Sequence, residues 1–314
     1  MPVRENTLDV IVPAYKERFL SALLESLAEQ TCREFSVIVS DDCSSESLAT
    51  VCESYAHRLA MRYVRFSRNL GTVDLAGHWN RSVALSNAKW ILLPGDDDEL
   101  ERNCIEAFWR KSAESNESVE VYSFGVRVID ERDRVIRETR PLRADTAAQF
   151  LLQRYTGKVS PMPVGYVFSR DTFLRCGGFV SFDRGWHSDV ASWALFGAET
   201  GVTPIDDAFV RWRHSSINIS PVMEKDGVRS TRASLAFVSW MLCNKTLLKM
   251  SDGDVKNVVG AMNYWEWYVG LSEETFWRWL ATAWRASSVL TRCATGSQFR
   301  HLYRFARSRW VWRA

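Results

Sequence analysis

No stretch of the 314-residue chain approaches the roughly 18 consecutive apolar residues that a membrane-spanning helix requires, and the charged N-terminal segment offers no apolar signal core. The seven cysteines (Cys32, Cys43, Cys52, Cys104, Cys176, Cys243 and Cys293) are odd in number and scattered, with no C-x-x-C pair. That pattern supplies neither a zinc knuckle nor a disulfide framework, and free thiols suit a reducing compartment. No G-x-G-x-x-G follows the first apolar run and no G-x-x-x-x-G-K-[ST] occurs anywhere, so both common glycine cradles for phosphate are missing. Acidic side chains are wholly lacking in residues 275–314, which hold eight arginines. Since the whole chain is only +2, the rest carries −6: an anionic body with a cationic tail. These absences together predict a cytoplasmic protein without a membrane span.

What is present is ordinary for a globular chain, 46% hydrophobic and 25% charged, and long enough for one large or two modest cores. Strand-like runs at 8–12, 35–39, 63–66 and 90–93 alternate with helical apolar spacing at 20–28, 48–59 and 73–85. This order predicts an α/β fold with a mostly parallel sheet and helices on both faces. Ligands of such sheets bind beyond the carboxyl ends of the strands. Polar clusters fall at all four ends: Tyr15 to Glu17, Asp41 to Ser45, Ser67 to Asn69, and Asp96 with Asp97 and Asp98.

Three adjacent carboxylates repel one another unless a cation intervenes. A hard ion such as Mg²⁺ or Mn²⁺ takes oxygen ligands, commonly one or two carboxylates plus phosphate oxygens, so the cluster points to a nucleoside diphosphate. A solvated acidic turn is the competing explanation for the tripeptide alone.

Val10-Ile-Val-Pro-Ala-Tyr-Lys-Glu17, Val37-Ile-Val-Ser-Asp-Asp-Cys-Ser44 and the aspartate cluster, in that order and spacing, resemble family 2 of the inverting glycosyltransferases. The resemblance spans residues 8–220 and implies a Rossmann-like GT-A domain over 1–220, followed by a helical region over 221–314. It implies that Pro13, Tyr15, Glu17 and Asn69 lie against the nucleotide and that Asp42 accepts from a ring N–H of the base. An aromatic face with a carboxylate acceptor suits a pyrimidine; for Asp42 the plain alternative is a turn or helix-capping role. Asn69-Leu70-Gly71 matches the family's Asn-x-Gly, but the later Arg-Asn pair reads Asn80-Arg81 here, which keeps the asparagine and loses the preceding arginine. Two registers are open for the metal motif. Read literally, Asp96 and Asp98 are the ligand pair; aligned on the trailing Asp-Asp-x-Leu, the first position falls on Gly95 and Asp97 becomes the principal ligand.

Gly177-Gly178-Phe179 followed by His187-Ser188-Asp189 resembles the family's Gly-Gly-Phe segment leading to Glu-Asp at a helix start, with Ser188 in place of the glutamate. Asp189 is then the general base that removes the acceptor's hydroxyl proton; capping of helix 190–196 is the alternative. Residues 163–169 read as a strand. Val210-Arg-Trp-Arg-His-Ser-Ser-Ile-Asn-Ile-Ser220 resembles a segment that closes over the diphosphate, with Arg211 or Arg213 against its charge and His214 joining the metal. In the tail, Arg278, Arg285 and Arg292 share a helical face and aromatic residues interleave with later arginines, a pattern suited to an anionic membrane surface.

The expected activity is therefore metal-dependent transfer of a sugar from a nucleotide-diphosphate donor to a hydroxyl of a glycan, lipid-linked in bacterial surface polysaccharide assembly such as O-antigen or capsule. No nucleic-acid-reading motif accompanies the basic tail. A sugar nucleotidyltransferase would show a glycine-rich, arginine-containing loop after the first strand. A non-catalytic nucleotide-binding adaptor at the membrane would bind donor without turnover.

Overall fold

The computed structural model of the chain describes residues 4–115, 119–141, 143–216 and 227–262. Its first half follows the expected alternation: β1 (Arg4–Ala14), α1 (Leu20–Ala28), β2 (Ser36–Asp41), α2 (Leu48–Tyr55), β3 (Met61–Arg65), α3 (Leu75–Val83) and β4 (Ala88–Leu92). β1 lies between β2 and β4, parallel to both, with Val10 facing Val37 on one side and Leu92 on the other. Helices cover both faces of this sheet, so β1 and β2 are apolar on both sides rather than alternating with polar residues. Ile11, Ile38 and Ile91 enter one core layer; Val10, Val12, Val37, Val39 and Leu92 enter the other. Leu20, Leu23, Leu24 and Leu27 form a single buried stripe along α1.

The second half turns the sheet mixed. β5 (Glu99–Leu100), α4 (Cys104–Glu114), β6 (Val121–Ile129), β7 (Val135–Thr139), α5 (Ala147–Tyr155), β8 (Tyr166–Ser169), α6 (Arg170–Arg175), α7 (Ser188–Phe196) and β9 (Thr203–Arg213) complete the strand order 3-2-1-4-8-6-9-5, with β7 beside β6. β8 runs antiparallel between β4 and β6, while β9 is parallel to β6. The strand expected over 163–169 is shorter because Pro163 opens a 3₁₀ turn that ends at Gly165. The helix expected over 73–85 begins at Leu75, since the Asp74 carboxylate caps it by accepting from the Gly77 N–H at 2.9 Å.

Two further helices, α8 (Gly227–Cys243) and α9 (Asp252–Ala261), follow β9. Phe237, Val238, Met241, Val255 and Val258 share one buried cluster with Phe150, Trp193 and Ile91. Residues 227–262 thus pack into the core of the sheet domain as the helical region expected after residue 220. The basic tail read over 275–314 lies outside the described residues. Among the described residues no helix is long and apolar enough to cross a membrane.

An aromatic cluster anchors β8 under α7. The Phe168 ring, fully buried, lies 5.5–5.6 Å from Phe179, Trp193 and Phe196. Truncation there leaves a cavity that rigid neighbours cannot fill, so Phe168→Ala should lower unfolding free energy by about 3–5 kcal/mol. Urea denaturation followed by fluorescence checks it, and a loss below about 1 kcal/mol would show that the cluster collapses readily.

Candidate functional site

The loops beyond the carboxyl ends of β1, β2 and β4 meet through buried carboxylates. Asp96 Oδ2 accepts from the backbone N–H of both Tyr15 and Lys16, each at 2.7 Å. It thereby fixes the Pro13-Ala-Tyr-Lys turn against the aspartate turn. The Ser44 hydroxyl donates to the Tyr15 carbonyl at 2.6 Å and holds the same turn from the β2 side. With its backbone held twice, Tyr15 leaves its ring 41% exposed at the mouth of the site, and Glu17 is exposed beside it. Pro13 is half-buried at the end of β1.

Asp42, 2% exposed, is an organiser of this region. Its carboxylate accepts from the N–H of Leu70 at 2.9 Å, the N–H of Gly71 at 2.7 Å and the Asn69 amide at 2.9 Å, and it pairs with the Arg81 guanidinium. These four donors fill the usual lone-pair directions of a carboxylate. The expectation that Asp42 simply offers an acceptor to the base is corrected: a ring N–H must replace a donor already there. Arg81 was not picked out from sequence because the family pattern places arginine before the asparagine. The helix nevertheless brings it onto Asp42, with its guanidinium 3.9 Å over the Phe66 ring. Asn80, one position earlier, grips Phe179 through both its N–H and its carbonyl, at 2.7 and 3.1 Å. His78 was also missed. Arg81 Nε donates to His78 Nδ1 at 3.2 Å, so that nitrogen is an acceptor and the ring is neutral, consistent with burial pushing its pKa down to about 4. Its 3.6 Å approach to Asp42 is therefore not an ion pair. Nε2, which carries the proton, is buried without a protein partner.

The three aspartates have separate roles. Asp98, 4% exposed, accepts from Gly95 N–H at 2.8 Å through one oxygen and from Arg213 N–H at 3.3 Å through the other. Asp98 thereby ties the turn to the end of β9, and each of its oxygens keeps a second lone-pair direction, so both registers of the metal motif stay compatible with this turn. Asp97 is half-buried, and its carboxylate accepts from its own backbone N–H. Burial, with the Asp96 charge adding to it, pushes its pKa up to about 7. Asp96 and Asp98 are also raised, burial being the largest cause. A Cβ on Gly95 would sit 3.2 Å from an Asp97 oxygen, so a side chain there would crowd the turn. Among the described residues no three acidic, histidine or cysteine side chains form a ready cage for a metal. The oxygen-only donors of Asp97 and the second oxygen of Asp96 do fit a hard divalent ion that keeps waters or phosphate oxygens in its shell.

The arginines of β9 meet acidic partners. Arg213 is 1% exposed, pairs with Glu99 and Asp133, and donates to the Asp97 carbonyl at 3.0 Å. Arg211 pairs with the same Glu99 at 2.7 Å and donates to the Asp133 carbonyl. Both cations tie β5, β9 and the β6–β7 turn together beside the aspartates. His214, the next residue of the chain, is exposed and so remains accessible to a metal shell. In the same turn Glu131 accepts from Ser216 N–H at 2.9 Å and pairs with Arg18, joining the loop after β1 to the end of β9.

On the acceptor side, Asp189 occupies the first turn of α7, half-buried, and accepts from the Val190 N–H at 2.7 Å. Negative charge is favoured at that helix end. Ser188 Oγ accepts from Phe182 N–H at 3.0 Å and Ser192 Oγ from Val180 N–H at 2.9 Å. The Gly177-Gly178-Phe179 segment is thus pinned to α3 through Asn80 and to α7 through two serines.

A sheet whose strand ends gather a fixed aromatic turn, an aspartate turn and a carboxylate at a helix start defines a nucleotide-binding α/β domain of the GT-A fold. The chain belongs to glycosyl transferase family 2, whose family model matches residues 9–175. An uncharacterized glycosyltransferase of Haemophilus influenzae is 37% identical over 92 residues, 29% of either chain. The poly(ribitol-phosphate) β-N-acetylglucosaminyltransferase TarS of Staphylococcus aureus is 32% identical over 102 residues, 31% of this chain and 17% of its own. The matched stretches therefore span less than a third of these relatives. In structure, S. aureus TarS 1–349 in complex with UDP-GlcNAc superposes with a TM-score of 0.69 at 14% identity, covering 92% of this chain and 82% of that one. The mannosyltransferase PcManGT of Pyrobaculum calidifontis, in complex with GDP-Man and Mn²⁺, gives 0.56 at 14% identity over 98% of this chain and 81% of its own. Identities this low speak for shared fold alone.

A carboxyl group whose folded pKa is raised binds more protons folded than unfolded between the two values. Asp97 should therefore cost stability as pH rises from about 4, the unfolded value, to about 7. In EDTA, Asp97→Asn should raise the melting temperature by several degrees at pH 8, with the gain fading toward pH 4. Thermal scans across pH check this; a gain that does not change with pH would mean Asp97 is not strained in the folded protein.

Proposed function

We propose that this protein is an inverting, metal-dependent glycosyltransferase that moves a sugar from a nucleotide-diphosphate donor to a hydroxyl of a glycan acceptor. Family membership supports the reaction class. The observation that carries the mechanism is Asp189, a half-buried carboxylate in the first turn of α7.

In this reading the Tyr15 ring packs on the base, Glu17 and Asn69 border the ribose side, and a ring N–H reaches Asp42 by taking the place of Arg81. A pyrimidine, small and with an N–H flanked by carbonyls, suits that exchange. Asp97 with Asp96 and His214 would hold Mg²⁺ or Mn²⁺, whose chemistry there is to offset charge on the departing diphosphate. Asp189 orients the acceptor hydroxyl and takes its proton as the new bond to C1 forms. A base on the face opposite the leaving group gives a single displacement and inversion. The poly(ribitol-phosphate) acceptor named for the relative TarS, together with the basic tail, supports an acceptor that is lipid-linked in O-antigen or capsule assembly, on the cytoplasmic face of the membrane.

Asp189→Asn keeps the size and the helix-capping ability but cannot take a proton. It should lower kcat by about 10²- to 10⁴-fold while donor affinity, read by calorimetry with Mn²⁺ present, stays within a few-fold. Turnover near that of the unaltered enzyme would reassign Asp189 to helix capping.

The tail is tested separately. Each arginine near an anionic surface contributes at most about 1 kcal/mol, and salt screens it over about 10 Å. Replacing Arg278, Arg285, Arg292, Arg300, Arg304 and Arg307 by glutamine should abolish salt-sensitive sedimentation with phosphatidylglycerol vesicles. Undiminished binding by a folded glutamine variant would remove the support for a membrane-borne acceptor.

A further inference from the structure

The residue two places before Asp189 has a geometry that neither the motif nor the mechanism uses. His187 is 6% exposed and stands at the N-cap of α7 in the left-handed region, with φ of 66°. Its carbonyl accepts the first bond of the helix, from the Ala191 N–H at 2.9 Å. Its ring joins two other helices: Nδ1 lies 3.0 Å from the Tyr155 hydroxyl on α5, and Nε2 lies 2.9 Å from the Ser234 hydroxyl on α8. The ring also stacks on Phe237 of α8, with centroids 5.0 Å apart and planes 25° apart. Phe237 in turn packs edge-on against Phe182, at the other end of the loop that leads into α7.

From these contacts we infer that His187 is a positioning residue for the acceptor side, a three-helix joint through which α8 sets the first turn of α7 and hence the place of Asp189. The ring is suited to this because it is neutral: burial pushes its pKa down to about 3, so it keeps one donor and one acceptor at any working pH. Each hydroxyl partner can complement either tautomer. A left-handed, bulky residue at an N-cap is unfavourable by itself and persists where its surroundings over-determine it. Here the hydroxyls of Tyr155 and Ser234 and the Phe237 face do so. The consequence is that residues beyond β9, which belong to no motif, act on the catalytic geometry.

The inference rests on Asp189 being the base, so its test has one arm that does not need turnover. Ser234→Ala and Tyr155→Phe each remove one hydroxyl at the joint and leave the apolar packing in place. Amide hydrogen exchange on the full chain should show the first turn of α7, including Ala191, exchanging several-fold faster in both variants, while β1 and β4 keep their original rates. His187→Asn, which tolerates the left-handed backbone and retains a donor and an acceptor, should lie between. With UDP-GlcNAc or GDP-mannose as probe, kcat should fall several-fold in both hydroxyl variants with donor KM unchanged. Original exchange rates in α7 in both variants overturn the inference. So does a uniform rise that includes β1 and β4, because it reports loss of global stability. An unaltered protein inert toward either sugar nucleotide counts against the transferase reading; the exchange pattern decides the joint in that case too.

Discussion

Two backbone N–H groups, those of Tyr15 and Lys16, converge on one buried oxygen of Asp96, and the site depends on that convergence. In a doubly wound sheet the loops leave adjacent parallel strands side by side, but nothing in the ladder itself fixes how they lie beyond the last pair. A carboxylate accepting charge-assisted bonds from a neighbouring loop supplies the constraint, and such bonds are stronger than neutral ones. The same device recurs at Asp42, which gathers Leu70 and Gly71, and at Asp98, which gathers Gly95 and Arg213. Buried carboxylates thus build the rim of the site by fixing backbone, and this explains why so many acidic residues sit at strand ends while few present open oxygens.

Burying anions in this way is costly unless cations or donors compensate. The chain separates the two kinds of compensation. Arg65, Arg81 and Arg213 each meet a buried carboxylate, Asp41, Asp42 and Glu99 respectively. At Asp97 burial and the Asp96 charge outweigh the opposing charges of Lys16 and Arg213, and the pKa is raised to about 7. Carboxylates held in that state are where an added divalent ion gains most.

The parallel half of the fold was legible because β1 and β2 hold β-branched runs buried on both faces and α1 carries a clean apolar stripe. The mixed half was not. β5 is two residues long, β7 is an exposed edge strand, and β6 and β9 earn their places only by pairing with each other at long range. Site residues divided in the same way. Tyr15, Asp42, Asp97 and Asp189 stand in motifs with fixed spacing and were read from it. Arg81 and His187 act through helix packing, which brings them to Asp42 and to α8 irrespective of their place in a motif. The pairing of Arg211 and Arg213 with Glu99 was not legible, because a basic pair looks the same in sequence whether or not an acidic partner faces it.

Backbone strain gives an independent account of where the chemistry lies. Six non-glycine residues among those described have positive φ: Cys43, Asp133, Arg184, His187, Asp207 and Lys249. Four of them adjoin the site, with Cys43 following Asp42, Asp133 holding Arg213, and Arg184 and His187 leading into Asp189. Such conformations cost on the order of 1 kcal/mol or more each and survive only under compensation from their surroundings. For the loop before α7 that compensation comes from Asn80 on α3, from Ser188 and Ser192 on α7, and from Tyr155 and Ser234 through His187. Four helices therefore converge on a segment of some ten residues, anchored in the core at Phe179. Stability alone does not require such an arrangement. Under the proposed function, placement of the Asp189 carboxylate does, because a base that must meet a proton in the transition state gains its rate from being held there beforehand.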